Sequence, residues 1–158
     1  MSRLLTVLGV MLLAGCGFHL QSALTTPPEM QLTYIDSVER NSLFHRELRS
    51  QLKAAGVSLV DAPDEATAII AISVDETDQR VLSVSARNVP TEYEVYYSIE
   101  YALTSGEKSL MAPQFLTLTR DYTHDETLVL GKAREEELMR GAIVKDLVRI
   151  VLKQLSSL

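Results

Sequence analysis

Few residues of this chain have the type and setting to do chemistry, and the first is Cys16, the one cysteine in 158 residues. It closes Leu13-Ala14-Gly15-Cys16, behind the apolar run Leu4 to Leu13 and the positive flank of Arg3. A basic flank, an apolar run too short to span a bilayer as a helix, and small residues after it form the layout of a secretory signal peptide. Leu-Ala-Gly-Cys resembles the bacterial lipobox, in which the cysteine sulfur takes a diacylglycerol and cleavage leaves the acylated cysteine as the first residue. The competing reading is a plain signal peptide with an incidental cysteine; position, spacing and a cysteine count of one favour the lipobox. The chemistry expected at Cys16 is therefore acceptance of a covalent lipid. No other cofactor is expected.

Catalytic and metal chemistry find little support. His19 falls in a polar stretch after the cysteine, His45 in a helical pattern, and His124 beside Asp125 in a loop before the last helical pattern. His124-Asp125 suits a hydrolase triad or a metal site, but no HExxH, GxSxG or glycine-rich phosphate loop accompanies it. The histidines lack ligand spacing, so no metal and no catalytic residue is assigned. Tyr93, Tyr97 and Tyr101 share one strand face, with Tyr96 on the other and Tyr122 on a neighbouring strand. Core packing with hydroxyls reaching the sheet edge explains them, and a partner surface is the sharper alternative. Arg87, in Ala86-Arg87-Asn88-Val89-Pro90, and Lys132, in Leu130-Gly131-Lys132, stand at element ends. There a cation can meet an anionic group without being buried, and phosphate is its natural partner. Read alone, both also pass as ordinary solvated charges.

These residues must be positioned by a single folded unit. Residues 1–15 are expected as signal peptide, 16–29 as a lipidated extended tether bearing Pro27-Pro28, and 30–158 as one domain. Lys and Arg number 15 against 21 Asp and Glu, for a formal charge of −6, and Arg3 leaves with the signal segment. An acidic chain is a poor nucleic-acid binder, so no nucleic-acid partner is expected. With its cysteine lipidated, the domain holds no disulfide and must rely on packing. No later apolar stretch approaches the ~20 residues of a membrane helix, so the anchor is lipid.

The periodicity predicts a strand at Gln31–Val38, then a helix capped by Asn41 or Ser42 with Phe44, Leu48, Leu52 and Ala55 on one face. Gly56 sits where a left-handed residue ends a helix. A short strand at Val57–Val60 and a β-branched one at Thr67–Asp75 follow. Glu76 to Arg80 reads as a turn or as a polar part of one long strand, with an extended pattern after Val81. Tyr93, Val95, Tyr97, Ile99, Tyr101 and Leu103 recur every second residue, which marks a half-buried antiparallel strand. Ser105 to Lys108 is a hairpin turn and Phe115 to Tyr122 its returning strand. The last helix, about Lys132 to Leu155, has a packed stripe of Leu138, Ala142, Ile143, Leu147, Ile150, Val151, Gln154 and Leu155. The expected fold is α/β (α+β): a two-layer sandwich of a mostly antiparallel four- to five-stranded sheet with two helices on one face. The first strand can pair in parallel across its helix connection.

Four segments, in order along the mature chain, resemble the LptE family of lipopolysaccharide-assembly outer-membrane lipoproteins. They are Cys16-Gly17-Phe18-His19-Leu20; Arg87-Asn88 with Thr91-Glu92-Tyr93-Glu94; Arg120-Asp121-Tyr122 leading through His124-Asp125 to Leu130-Gly131-Lys132; and Glu135 to Leu155 around Ala142-Ile143-Val144-Lys145-Asp146-Leu147. The resemblance implies a non-enzymatic lipoprotein on the periplasmic face of the outer membrane. It implies that the protein plugs the LptD β-barrel, assists that barrel's assembly and binds lipopolysaccharide in transit to the cell surface. It also implies lipopolysaccharide contacts at Arg87 and Lys132. Gly17 after the cysteine, in place of aspartate, fits outer-membrane sorting. The alternative is an auxiliary envelope lipoprotein that binds another periplasmic or transporter protein without touching lipopolysaccharide.

Overall fold

The computed structural model describes residues 26–123 and 129–158, and for 129–133 the backbone course alone. Its elements are β1 (Leu32–Ser37), α1 (Leu43–Ala54), β2 (Ser58–Leu59), β3 (Ala68–Val84), β4 (Pro90–Ser105), β5 (Lys108–Thr123) and α2 (Val129–Leu155), with 3-10 turns at Pro28–Gln31 and Pro63–Glu65. They form the expected α+β sandwich: one five-stranded sheet, ordered β2-β1-β3-β4-β5, with both helices on one face. β1 pairs in parallel with β2 and β3: α1 carries the chain back from the end of β1 to the start of β2, and the 3-10 turn at Pro63–Glu65 lies in the connection from β2 to β3. The two long ladders, β3–β4 and β4–β5, are antiparallel hairpins.

Local sequence explains the element ends. Ser42 Oγ accepts the His45 N–H at 2.9 Å and caps α1. Gly56, at φ +86°, ends the same helix where a side chain would be strained. Gly106, at φ +55°, turns β4 into β5. The core joins Ile35, Phe44, Leu48, Leu52, Ile70, Ile72, Val95, Tyr97, Ile99, Tyr101 and Leu103 to the inner side of α2. All six alternating positions of β4 face the helices, and five of them are buried.

The expected stripe of α2 needs one correction. Its buried residues are Ile143, Val144, Leu147, Val148, Val151, Leu152 and Leu155, whereas Leu138 is 66% exposed. At 3.6 residues per turn Leu138 stands about half a turn round from Leu147, so one straight helix cannot bury both against one sheet. Ala142, Ile150 and Gln154 are half-buried at the flanks.

Residues Glu76 to Arg80 turn out to be strand. A bulge between Ile72 and Val74 reverses the facing of β3, so that Asp75, Thr77 and Gln79 point to the helix side beyond it. Each finds a partner there. Tyr97 O–H donates to Asp75 Oδ1 at 2.6 Å. Arg140 Nη1 donates to Thr77 Oγ1 at 3.1 Å, and Tyr122 O–H to Gln79 Oε1 at 2.9 Å. A polar inner face survives because these bonds satisfy it.

Candidate functional site

Past Ser37, β1 ends, but β3 continues with β4 and β5 as a three-stranded arm. The arm closes in the β3–β4 turn, after the last ladder pair Val84–Pro90. Ser85 N–H donates to Val89 O at 2.7 Å, Asn88 N–H to Ser85 O at 2.9 Å, and Val89 N–H to Ser85 Oγ at 3.2 Å. Asn88 sits at φ 59°, a left-handed conformation that asparagine tolerates better than most residues. Pro90 opens β4, a position where a missing N–H is tolerated. The turn is thereby fixed by its own backbone, and it holds Arg87 exposed at its apex. Arg87 forms no ion pair among the described residues.

Immediately below the apex, Val81, Leu82 and Val84 are each about half exposed. Their number and closeness were not anticipated. The extended pattern after Val81 is visible in sequence, but it gives no sign that these aliphatic side chains stay half exposed. The tip thus offers a cation above an aliphatic surface. Ser83 Oγ, which lies between them, is hydrogen-bonded to Thr91 Oγ1 and to Glu92 Oε2, both at 2.8 Å.

The start of α2 lies at this same end of the sheet. Tyr93 and Tyr122 stack with ring centroids 5.6 Å apart, next to the arm's tip. Burial pushes the Tyr122 hydroxyl pKa up, and the carboxylates of Glu136 and Glu135 in the early part of α2, with Tyr93, push it the same way; Arg140 opposes them. Lys132 is therefore carried by the first turn of a helix that starts beside the arm carrying Arg87. The Lys132 side chain lies outside the described residues, as do Cys16, His19, His124 and Asp125.

The remaining candidates have structural settings. Tyr97 and Tyr101 are core residues with satisfied hydroxyls, the latter donating to Gln154 Oε1. Burial raises the Tyr101 pKa to about 12. On the face without helices, Glu94 is 7% exposed and gripped by Arg80 through Nε at 3.0 Å and Nη2 at 2.8 Å, while Ser98 shares a 2.8 Å bond with Thr117. Tyr96 lies beneath Arg80, whose guanidinium carbon is 6.0 Å from its ring centre. This face is largely polar, and its one ion pair among the described residues is Arg80–Glu94. His45 is buried in the core side of α1. Among the described residues no group of acidic, histidine or cysteine side chains is arranged to hold a metal, and no helix is long and apolar enough to cross a membrane.

A family model described as LptE, lipopolysaccharide-assembly, matches residues 30–155. The LPS-assembly lipoprotein LptE of Yersinia enterocolitica is 29% identical over 156 residues, covering 94% of this chain and 74% of the relative. The solution structure of lipoprotein B from Nitrosomonas europaea superposes with a TM-score of 0.75 at 26% identity, covering 89% of this chain and 91% of that one. The crystal structure of rare lipoprotein B from Shewanella oneidensis gives 0.69 at 25% identity, covering 80% and 94%.

Proposed function

This chain belongs to the LptE lipopolysaccharide-assembly family, and on that premise we propose that it plugs and helps assemble the LptD β-barrel and contacts lipopolysaccharide on its way to the cell surface. In this reading Cys16 carries the lipid that holds the domain at the periplasmic face of the outer membrane, and the tether to residue 29 sets its reach. No step is catalytic; the protein works by binding.

The observation that carries the reading is the tip of the β3–β4 arm. Arg87 stands there free of ion pairs above half-exposed Val81, Leu82 and Val84. A glycolipid with phosphate groups on an acylated base matches that order of charge and aliphatic surface. Guanidinium suits phosphate because its donors are planar and paired. Lys132, on the helix that starts at the same end, supplies a second cation. Exposed charge contacts are individually weak, on the order of 0–1 kcal/mol, which suits a surface that must release its lipid.

Lipopolysaccharide binding to purified protein tests this. Arg87→Asp with Lys132→Asp should weaken binding at least tenfold while the far-ultraviolet spectrum and melting temperature stay unchanged. Unaltered binding by a folded double variant removes both residues from the site. Tagged protein should also bring a β-barrel partner from solubilised outer membranes. If no barrel follows and lipopolysaccharide does not bind, an auxiliary envelope lipoprotein is the better description.

A further inference from the structure

We propose that the cleft at the open edge of β1 is a phosphate-binding site, holding inorganic phosphate or a phosphomonoester headgroup between Arg40 and Arg49. β2 pairs only with Leu32 and Thr33. From Tyr34 onward the outer edge of β1 has no neighbouring strand, and it is walled instead by α1 and by Val60 and Asp61. The cleft so formed has a volume of about 250 Å³ and is lined by Tyr34, Ile35, Arg40, His45, Arg49, Val60 and Asp61. Since a water molecule occupies about 30 Å³ of liquid, a phosphate and several waters fit.

The guanidinium groups in the cleft are not neutralised by a carboxylate among the described residues. Arg80, Arg120, Arg140 and Arg149 each pair with a carboxylate, whereas Arg40 and Arg49 pair with none among the described residues. Arg40 Nη2 donates to the Tyr34 hydroxyl at 2.7 Å, which orients the guanidinium and leaves the tyrosine proton free to donate. Asp61 is the one carboxylate in the lining, and an entering anion must compete with it. His45 supplies an independent observation. It is 4% exposed in the wall of the cleft, and its Nδ1 has no hydrogen-bond partner. A buried imidazole at a core-facing position of α1 has no packing advantage over leucine. Its basicity is lowered by burial first, then by Arg49 and Arg40, against a raising effect of Asp75. An anion between the two arginines cancels their contribution and so couples its own binding to the protonation of His45.

The cleft is separate from the arm's tip. β3 runs on from Ile72, the partner of Ser37, to Val84, on the order of 40 Å further along the sheet. Its occupancy therefore does not depend on the lipopolysaccharide reading.

Imidazole nitrogen NMR of the full chain in neutral detergent micelles tests the site. Inorganic phosphate, titrated at constant ionic strength, should shift the His45 signals saturably and raise the pH at which they titrate. Arg40→Gln with Arg49→Gln should weaken that response at least tenfold, and Arg49→Lys should retain most of it. If only micelles doped with phosphatidic acid produce the shift, the ligand is a lipid headgroup. If neither probe moves His45, or if the folded double glutamine variant responds like the parent, the proposal is wrong.

Discussion

Tyr97→Phe tests whether the polar seam between the sheet and the helix layer holds the arm to the core. Tyr97 is 2% exposed, and its hydroxyl donates to Asp75 Oδ1 at 2.6 Å while accepting the Phe44 N–H at 3.4 Å. Ser42, the cap of α1, donates to the other Asp75 oxygen. One hydroxyl thus links β4, β3 and the first turn of α1. Removing it strands the Phe44 N–H in a fully buried residue, a loss of about 1–3 kcal/mol. The bond to Asp75 is worth a similar amount in principle. However, Asp75 lines an open groove of about 520 Å³ and keeps Ser42, so water recovers much of that part. The net expectation is about 2 kcal/mol. For a domain of this size that lowers Tm by roughly 5–10 °C. Urea unfolding should show a lower midpoint with an unchanged slope. Ser42→Ala should cost about 1 kcal/mol alone, and the double variant should depart from additivity by more than about 0.5 kcal/mol, because both side chains meet on Asp75. A Tyr97→Phe protein within 0.5 kcal/mol of the parent, or strict additivity in the cycle, refutes the argument.

Further outcomes follow from other contacts. Arg80→Ala leaves the Glu94 carboxylate, 7% exposed, without its guanidinium, and should cost about 1–3 kcal/mol by denaturant unfolding. Gly56→Ala meets no neighbouring atom but forces a side chain to φ +86°, so about 1 kcal/mol should be lost through strain alone. Tyr101, with a folded pKa near 12 against an ordinary 10.0, adds stability that is fully present below pH 10. It is lost as pH rises through 12, at up to about 1.4 kcal/mol per pH unit, because only the unfolded hydroxyl ionises in that window. Tyr101→Phe should show a correspondingly shallower alkaline decline. His45 has its pKa lowered below 6.5, so its contribution is complete above pH 6.5 and falls as acid protonates the unfolded chain first. Urea midpoints at pH 7 and 5.5 should therefore differ less in His45→Leu than in the parent.

The parts of the fold that sequence reveals are those where burial is one-sided and regular. The alternation from Tyr93 to Leu103 holds because β4 is central in the sheet and packs only one face against the helices. Ser42 and Gly56 mark the limits of α1 through backbone chemistry that depends on no distant contact. Glu76 to Arg80 is ambiguous for the opposite reason. Its inner residues are polar because Tyr97, Arg140 and Tyr122 receive them, and those partners come from β4, α2 and β5. The bulge at Ser73 also breaks the period of two about a third of the way along β3. Leu138 misleads because hydrophobicity without phase cannot say which side of a long helix meets the sheet. For the sites, Arg87 and Lys132 are visible as cations at element ends, but their common end of the molecule follows only from the direction in which α2 returns across the sheet. Arg40, just before α1, and His45 and Arg49 on it look like ordinary polar positions of a surface helix and its approach until the shortness of β2 leaves a cleft beside them.

The placement of ion pairs reconciles an acidic chain with the anionic ligands proposed for it. The formal charge of −6 is an average over a long molecule, while at physiological salt a charge is felt over about 8 Å. What a phosphate meets is therefore the local set of unpaired groups. Several carboxylates are committed among the described residues: Glu94 to Arg80, Asp146 to Arg120 and Arg149, Glu136 to Arg140, and Glu92 to the Ser83 hydroxyl. Each of the three ion-pair groups uses an arginine from the body of the sheet or helix, not the one at the tip. At the tip Arg87 forms no ion pair with any of the described carboxylates. A rigid turn keeps it there, since Ser85, Asn88 and Val89 bond to one another and leave the arginine side chain out of the turn's own hydrogen bonds. A charge held rigidly in the open keeps its field for an arriving anion, so the local arrangement at the turn, and not the net charge of the chain, sets what that cation can bind.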